Sequence, residues 1–499
     1  MKYIKLFLLT IIMLTACRSG NESTKKSDVI VFKEDWESLK NHHTPSWFRD
    51  AKFGIYTHWG PLTIGSTISG STFYGNRMYR QEERWIKFFN LHRETFGDQN
   101  EVGYKDIIKM FNPVKFDASE WAELFYQAGA RFAGPVAIHH DNFAMWKSDI
   151  TRWNAYNITG IDIVGELERE IRKRGMKFIT TFHHGYSWKY FEPAYKFDGS
   201  DPQYSDLYCD IHEPGEKPNE KFQNEWLAKI IEVIDNYKPD LIWFDFGIAS
   251  IDEKIQKKFY SYYFNKAQEW GKEVVVTVKK GAKEKTPGEI AVLDFEHSRE
   301  NRLVEYPWLT DTSLGPWFYT KSFGESQLDA SKFIRLLIDI VSKNGCLLLN
   351  VPPMADGSIP ENAREVLLEM GRWLKINGEA IYDTRPWLVY GEGPTEIDEE
   401  RKKIIKQYLQ DYTNEDFRYT SNGDYVYAFP MFSPEDKIIL KSLGVKSLNK
   451  EIKVKSVKLL GVKDKVEWAQ NDEALIINVN DIKHQNQLVW VFKIKIKVK

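Results

Sequence analysis

The chain has 499 residues, 42% of them hydrophobic and 28% charged, so it is an ordinary folded protein and too long for one core, which stops growing at roughly 250–300 residues. Its 69 Lys and Arg against 71 Asp and Glu leave a net charge of −2, which gives no electrostatic footprint for nucleic acid. Aromatic residues make up 14% of the chain, and such rings serve both as core material and as stacking surfaces for the apolar faces of sugars.

Met1, Lys2 and Lys5 precede an apolar run at 6–14 that is too short for a permanent membrane helix, the pattern of a secretory signal. The run closes with Leu14-Thr15-Ala16-Cys17, which resembles a bacterial lipobox. The expectation is a signal peptide over 1–17, lipidation at Cys17 and a polar tether over 18–30. The protein is then exported and lipid-anchored in the bacterial cell envelope, on its periplasmic or cell-surface face; an ordinary signal peptide that contains a cysteine is the alternative. Of the other two cysteines, Cys209 and Cys346, the second lies beside Leu347-Leu348-Leu349 and reads as a buried thiol.

From Phe53 onward a short apolar strand, a polar loop and an amphipathic helix alternate, which predicts a parallel α/β fold. Candidate strands are 53–57, 132–138, 176–182, 241–244, 274–278, 290–295 and 347–351. The clearest helix, 163–174, has Asp162 as its cap, Val164, Leu167 and Ile171 on one face, and Gly175 as its stop. Helices at 333–341 and 363–376 fit the last outer turns. The chain therefore predicts a (β/α) TIM-like barrel over 31–390. Beyond Phe417 the texture changes to alternating strands, at 425–429, 437–440, 454–460, 474–479 and 488–498, which predicts a C-terminal all-β sandwich domain over 391–499.

The downstream strand ends carry His58-Trp59, His139-His140-Asp141, His183-His184, Asp245 and Glu296. In a (β/α) barrel those ends converge on one face, where active sites lie. Asp245 follows the apolar run Leu241-Ile242-Trp243-Phe244, and a carboxylate there reads either as a reactive group at the barrel mouth or as a cap or ion-pair partner. Glu296 and Glu300 follow the strand at 290–295. A retaining glycosidase needs two carboxyl groups about 5–5.5 Å apart, and residues fifty positions apart meet when each ends a strand on one rim. A solvated mixed-charge loop with Arg299 and Arg302 is the plainer reading for Glu300. The histidine pairs suit either sugar hydroxyls or a metal. Neighbours on a strand face opposite ways, no His-x-His or His-Glu-x-x-His spacing occurs, and no Gly-rich phosphate loop is present, so neither metal nor organic cofactor is expected.

The ordered series Trp47-Phe48, Phe53-Gly54-Ile55-Tyr56-Thr57-His58-Trp59-Gly60, His139-His140-Asp141-Asn142-Phe143-Ala144-Met145-Trp146, Trp243-Phe244-Asp245 and Leu347-Leu348-Leu349-Asn350-Val351-Pro352-Pro353 resembles the α-L-fucosidases of glycoside hydrolase family 29, over about 31–387. The resemblance implies Asp245 as nucleophile, and His58, Trp59, His139, His140, His184 and Trp243 as sugar-binding residues. It also implies Glu296 as acid/base, with Glu300 in reserve, and a fucosylated oligosaccharide or polysaccharide as substrate. The chain departs from the family where Ser71-Thr72-Phe73-Tyr74 stands in place of a Glu-Trp-Tyr segment and Trp308-Leu309 in place of a Trp-Glu pair. These changes leave L-galactosyl and sulfated fucosyl residues open as substrates. A non-catalytic sugar-binding lipoprotein and a metal-dependent hydrolase are the rival readings.

Overall fold

The computed structural model describes residues 30–395, 411–463, 465–480, 482 and 488–499; the expected signal peptide, Cys17 and nearly all of the tether lie outside them. Eight strands close into a parallel barrel: β1 Phe53–Thr57, β2 Phe132–Ile138, β3 Lys177–Phe182, β4 Leu241–Phe244, β5 Val275–Lys279, β6 Val292–Glu296, β7 Trp308–Ser313 and β8 Gly345–Asn350. The ring is sealed by β8 against β1, from Phe53↔Leu347 to Tyr56↔Asn350. Among the described residues no helix is long and apolar enough to cross a membrane.

Side chains alternate across a strand, so one parity of each strand fills the barrel and the other meets the surrounding helices. The inward set is Tyr56, Phe132, Val136, Ile179, Leu241, Trp243, Val275, Val292, Leu309, Cys346 and Leu348, plugged by Phe48 and Ala51 of the helix Ser46–Ala51. Gly54 belongs to this parity too, and a Cβ there would stand 2.1 Å from the Phe132 ring, so glycine is what lets that ring fill the barrel. The outward parity, including Phe53, Ile55, Phe178, Phe182 and Phe244, packs with helices such as Ile163–Lys173, which buries Ile163, Val164, Leu167 and Ile171.

The predicted barrel strands are present within one to two residues of their expected ends. One was not anticipated: β7 reads Trp-Leu-Thr-Asp-Thr-Ser and carries no apolar run. The remaining strands are β9 Arg385–Glu392, β10 Phe417–Asn422, β11 Tyr425–Pro430, β12 Lys437–Leu440, β13 Ile452–Leu459, β14 Glu467–Gln470, β15 Leu475–Asn478 and β16 Phe492–Val498. They form an antiparallel sheet in the order β13-β16-β11-β10-β9 and a three-stranded sheet β12-β15-β14. A shared core of Trp387, Tyr419, Ile438, Leu440, Leu475, Ile477 and Ile494 lies between them. Because β9 starts at Arg385, the expected boundary at 390/391 falls inside a strand of this sheet.

Barrel and sheets belong to one compact unit, Phe32–Lys499. Asp339, on the helix Ala330–Ser342, is fully buried and accepts from Arg418 of β10 at 2.5 Å, pairs with Arg299 at 2.6 Å and with Lys343 at 2.9 Å. The Trp373 indole donates to the Val489 carbonyl at 2.7 Å. Cys209 and Cys346 are free and buried, the latter inside the barrel with its Sγ against the Phe48 carbonyl.

Candidate active site

Extending the inward parity of each strand by two residues reaches the C-terminal rim. It places His58 after β1, His183 after β3, Asp245 after β4, Lys279 at the end of β5, Glu296 at the end of β6, Asp311 and Ser313 on β7, and Asn350 at the end of β8. On β2 the register slips between Val136 and Ile138, and the strand ends there. The alternation is thereby lost, so both His139 and His140 join the cluster, their rings 4.3 Å apart.

The four imidazoles His58, His139, His140 and His183 are buried. His183 stacks on His139 at 4.5 Å, and its Nε2 lies 3.2 Å from that of His58. His140 donates from Nδ1 to the His183 carbonyl at 2.9 Å, which turns its Nε2 toward Asp245 Oδ2 at 3.4 Å. Burial strips these rings of solvation and lowers their basicity, to about 4 for His140 and about 3 for His58, so they are neutral at neutral pH. Burial also pushes the Asp245 carboxyl up to about 7; Lys279 opposes the rise and Glu296 adds to it.

Lys279 is the cation of the site. Its Nζ contacts Asp311 at 2.5 Å, Asp294 at 2.7 Å and Glu296 at 3.6 Å, and lies 4.8 Å over the Trp243 ring. Although burial opposes it, the carboxylates Asp294, Asp311, Glu296 and Asp245 hold its ammonium well above the usual lysine range. Burial raises Asp294, whereas on Asp311 burial is outweighed by Lys279 and the hydrogen bond with Asp294, which hold its carboxyl below the usual range. Burial likewise raises Glu296, against the pull of Lys279 and a hydrogen bond from Trp317. The Glu296 side chain is 46% exposed and that of Asp245 8%, which puts one carboxyl at the entrance and the other on the floor. Trp317 and Phe318 stand over His58 at 5.1 and 5.5 Å; Phe73, Tyr186 and Phe246 stand beside His140 at 5.6, 5.1 and 5.5 Å.

Of the residues singled out from the sequence, His58, His139, His140, Trp243, Asp245 and Glu296 share this rim. Two expected sugar contacts do not. His184 has the outward parity of β3: its ring stacks on Trp226, with Nε2 3.3 Å from the Trp226 carbonyl, and the residue that faces the cluster is His183. Trp59 has the outward parity of β1, donates to the Met354 carbonyl and packs among Phe111, Phe116 and Trp121. Glu300 accepts from the Tyr306 hydroxyl at 2.7 Å and has no contact with Lys279. Sequence reasoning placed His183 at a strand end but chose His184 for the sugar, and it passed over Lys279, Asp294 and Asp311. Counting in twos from the apolar inward residues finds all four, as it finds Asn350, which stands in the sequence reading for its motif alone.

A barrel rim with one buried and one half-open carboxyl, lined by hydrogen-bonding imidazoles and aromatic walls, is the site of a glycoside hydrolase. Comparison with known proteins agrees. The profile of the alpha-L-fucosidase family matches residues 19–379, and that of the alpha-L-fucosidase C-terminal domain matches 410–495. Rat (Rattus norvegicus) tissue alpha-L-fucosidase is 28% identical over 448 residues, covering 88% of this chain and 86% of its own. Human (Homo sapiens) plasma alpha-L-fucosidase is 30% identical over 368 residues, covering 71% and 73%. The structure of Thermotoga maritima alpha-fucosidase in complex with a mechanism-based inhibitor shares the fold, with a TM-score of 0.73, 24% identity and coverage of 93% and 100%. The chain belongs to the alpha-L-fucosidase family, glycoside hydrolase family 29.

Proposed function

We propose that the protein is an exo-acting, retaining α-L-fucosidase that releases terminal α-L-fucosyl residues, or the closely related L-galactosyl or sulfated fucosyl residues, from glycans or fucose-rich polysaccharide. The reading is carried by Asp245, held at the end of β4 between His140 and the Lys279 charge that Glu296 also feels. In the first step an Asp245 oxygen attacks the anomeric carbon. The glycosidic C–O bond breaks as Glu296 gives its proton to the leaving oxygen, and a glycosyl ester remains on Asp245. In the second step the Glu296 carboxylate takes a proton from water, whose oxygen displaces Asp245 and restores both groups. A carboxyl raised by burial suits the role of Glu296, because it must begin protonated.

His58, His139 and His140, with Trp243 below them, are the groups that receive the sugar. Thr72 and Phe73 stand where the family carries its Glu and Trp, and the Phe73 ring lies beside His140, so the sugar's outer hydroxyls are where specificity is set. The export and lipid anchor at Cys17 rest on the lipobox-like Leu14-Thr15-Ala16-Cys17. No metal or organic cofactor takes part in the two steps.

The test is hydrolysis of aryl α-L-fucoside, α-L-galactoside and sulfated fucoside by the wild type and by Asp245→Asn. The wild type should hydrolyse at least one of these three glycosides, and the variant should lose on the order of 10³-fold or more in kcat. An unchanged rate in Asp245→Asn removes Asp245 from the mechanism.

A further inference from the structure

Double displacement gives the floor histidines only hydroxyls to bind, yet three of them are arranged for another ligand. One nitrogen from each of His58, His139 and His183 lies within 4.8 Å of the others. Their tautomers follow from the network. Asn350 Nδ2 donates to Ser313 Oγ at 2.8 Å and to the Trp317 carbonyl at 2.9 Å, so its Oδ1 accepts. What it accepts is the His58 backbone N–H at 2.8 Å and the His58 Nδ1–H at 2.9 Å. The proton of His58 is therefore on Nδ1, and its Nε2 lone pair points at His183 Nε2, 3.2 Å away.

Two nitrogens bound at about 2.0–2.1 Å to one tetrahedral zinc stand roughly 3.3–3.4 Å apart, which is nearly the spacing of these two. His139 supplies a third ring, stacked on His183; the Nδ1 atoms of both are buried without a hydrogen-bond partner. Asn350 orients His58 from behind as an outer-shell partner does in a metal site. A set made only of imidazoles selects zinc, copper or nickel over magnesium and calcium.

We propose that His58, His139 and His183 form a three-imidazole site for a zinc-type divalent ion, open at its fourth position, whose occupancy excludes the sugar and so inhibits the enzyme. The exclusion rests on the reading that the sugar sits against these rings; the ion site itself does not.

The test uses metal-free protein titrated with Co²⁺, read by the visible bands of tetrahedral cobalt, and with Zn²⁺ by calorimetry, in the wild type and in His183→Gln and His139→Gln. Circular dichroism of each variant reports on its folding. One equivalent should bind to the wild type, with affinity reduced by about 10-fold or more in each variant. L-Fucose should displace the ion, and Zn²⁺ should inhibit competitively against an aryl α-L-fucoside. Absence of tetrahedral bands, or equal affinity in wild type and both folded variants, overturns the ion site and leaves the fucosidase reading intact. Binding lost in the variants but indifferent to L-fucose overturns the inhibition and the placing of the sugar beside these rings.

Discussion

Asp245 carries a conflict that can be measured: the barrel floor holds its carboxyl up to about 7, against an ordinary value of 3.8, while the nucleophilic role proposed for it needs it ionised. A group raised in the folded state contributes stability that is fully present below its unfolded value and lost as pH rises through the folded one. Asp245→Asn should therefore raise Tm near pH 8 and give no gain near pH 4; an equal gain at both contradicts the buried-carboxyl account. Glu296 and Glu300 separate by leaving group. Glu296→Ala should lower kcat/KM about 10²–10⁴-fold on an unactivated fucosyl oligosaccharide and far less on a nitrophenyl fucoside, whose leaving oxygen needs no proton. Glu300→Ala should leave both rates within a few-fold, and the reverse pattern would transfer the acid role to Glu300. At this scale the sequence showed Asp245 and the histidine pairs, because they follow conspicuous apolar runs. It singled out His184, whereas the structure sets His183 on the face of the cluster: a resemblance to a family fixes a motif to within a residue, and one residue on a strand is the difference between the two faces.

The strands explain what was and was not visible. β1, β2 and β4 are buried on both faces and read as unbroken apolar runs, so their bounds were legible to the residue. β7 was hidden because its inward parity serves the site: Leu309 fills the barrel, but Asp311 meets Lys279 and Ser313 meets Asn350. Lys279 was missed for the same reason, as a lysine after an apolar strand looks like the solvated start of a loop. Facing it are Asp245 from β4, Asp294 and Glu296 from β6 and Asp311 from β7. Removing its charge leaves only the Phe246 backbone hydrogen bond against burial and the negative neighbours Glu296 and Asp311. Lys279→Met should shift the acid limb of the kcat/KM profile to higher pH, with partial restoration in Lys279→Arg; an unmoved limb would show that the lysine serves folding alone. Gly54→Ala sets a methyl against the Phe132 ring and should cost about 1–3 kcal/mol in urea unfolding.

For the molecule as a whole, the order barrel then sandwich was legible from the change of periodicity after Phe417, whereas the join was not. It consists of β9, whose exposed and half-buried positions hide its strand character, and of a charge cluster assembled from Arg299, Asp339, Lys343 and Arg418, residues far apart in the chain. Burial works against the Asp339 charge, but its three cations hold the carboxyl far below the usual range. Arg418→Leu breaks this buried network and should destabilise by about 3–5 kcal/mol. The wild type should unfold in one calorimetric transition, and two separate transitions would contradict the coupling of sheets to barrel. The central claim is that the protein turns over through a sugar ester on Asp245. Its most direct test is to trap the enzyme with a 2-deoxy-2-fluoro-α-L-fucosyl donor and map the adduct by peptide mass spectrometry. One fluorofucosyl group on the peptide that contains Asp245, absent from Asp245→Asn, is the predicted result; an adduct on another carboxylate, or active enzyme that never forms one, would contradict it.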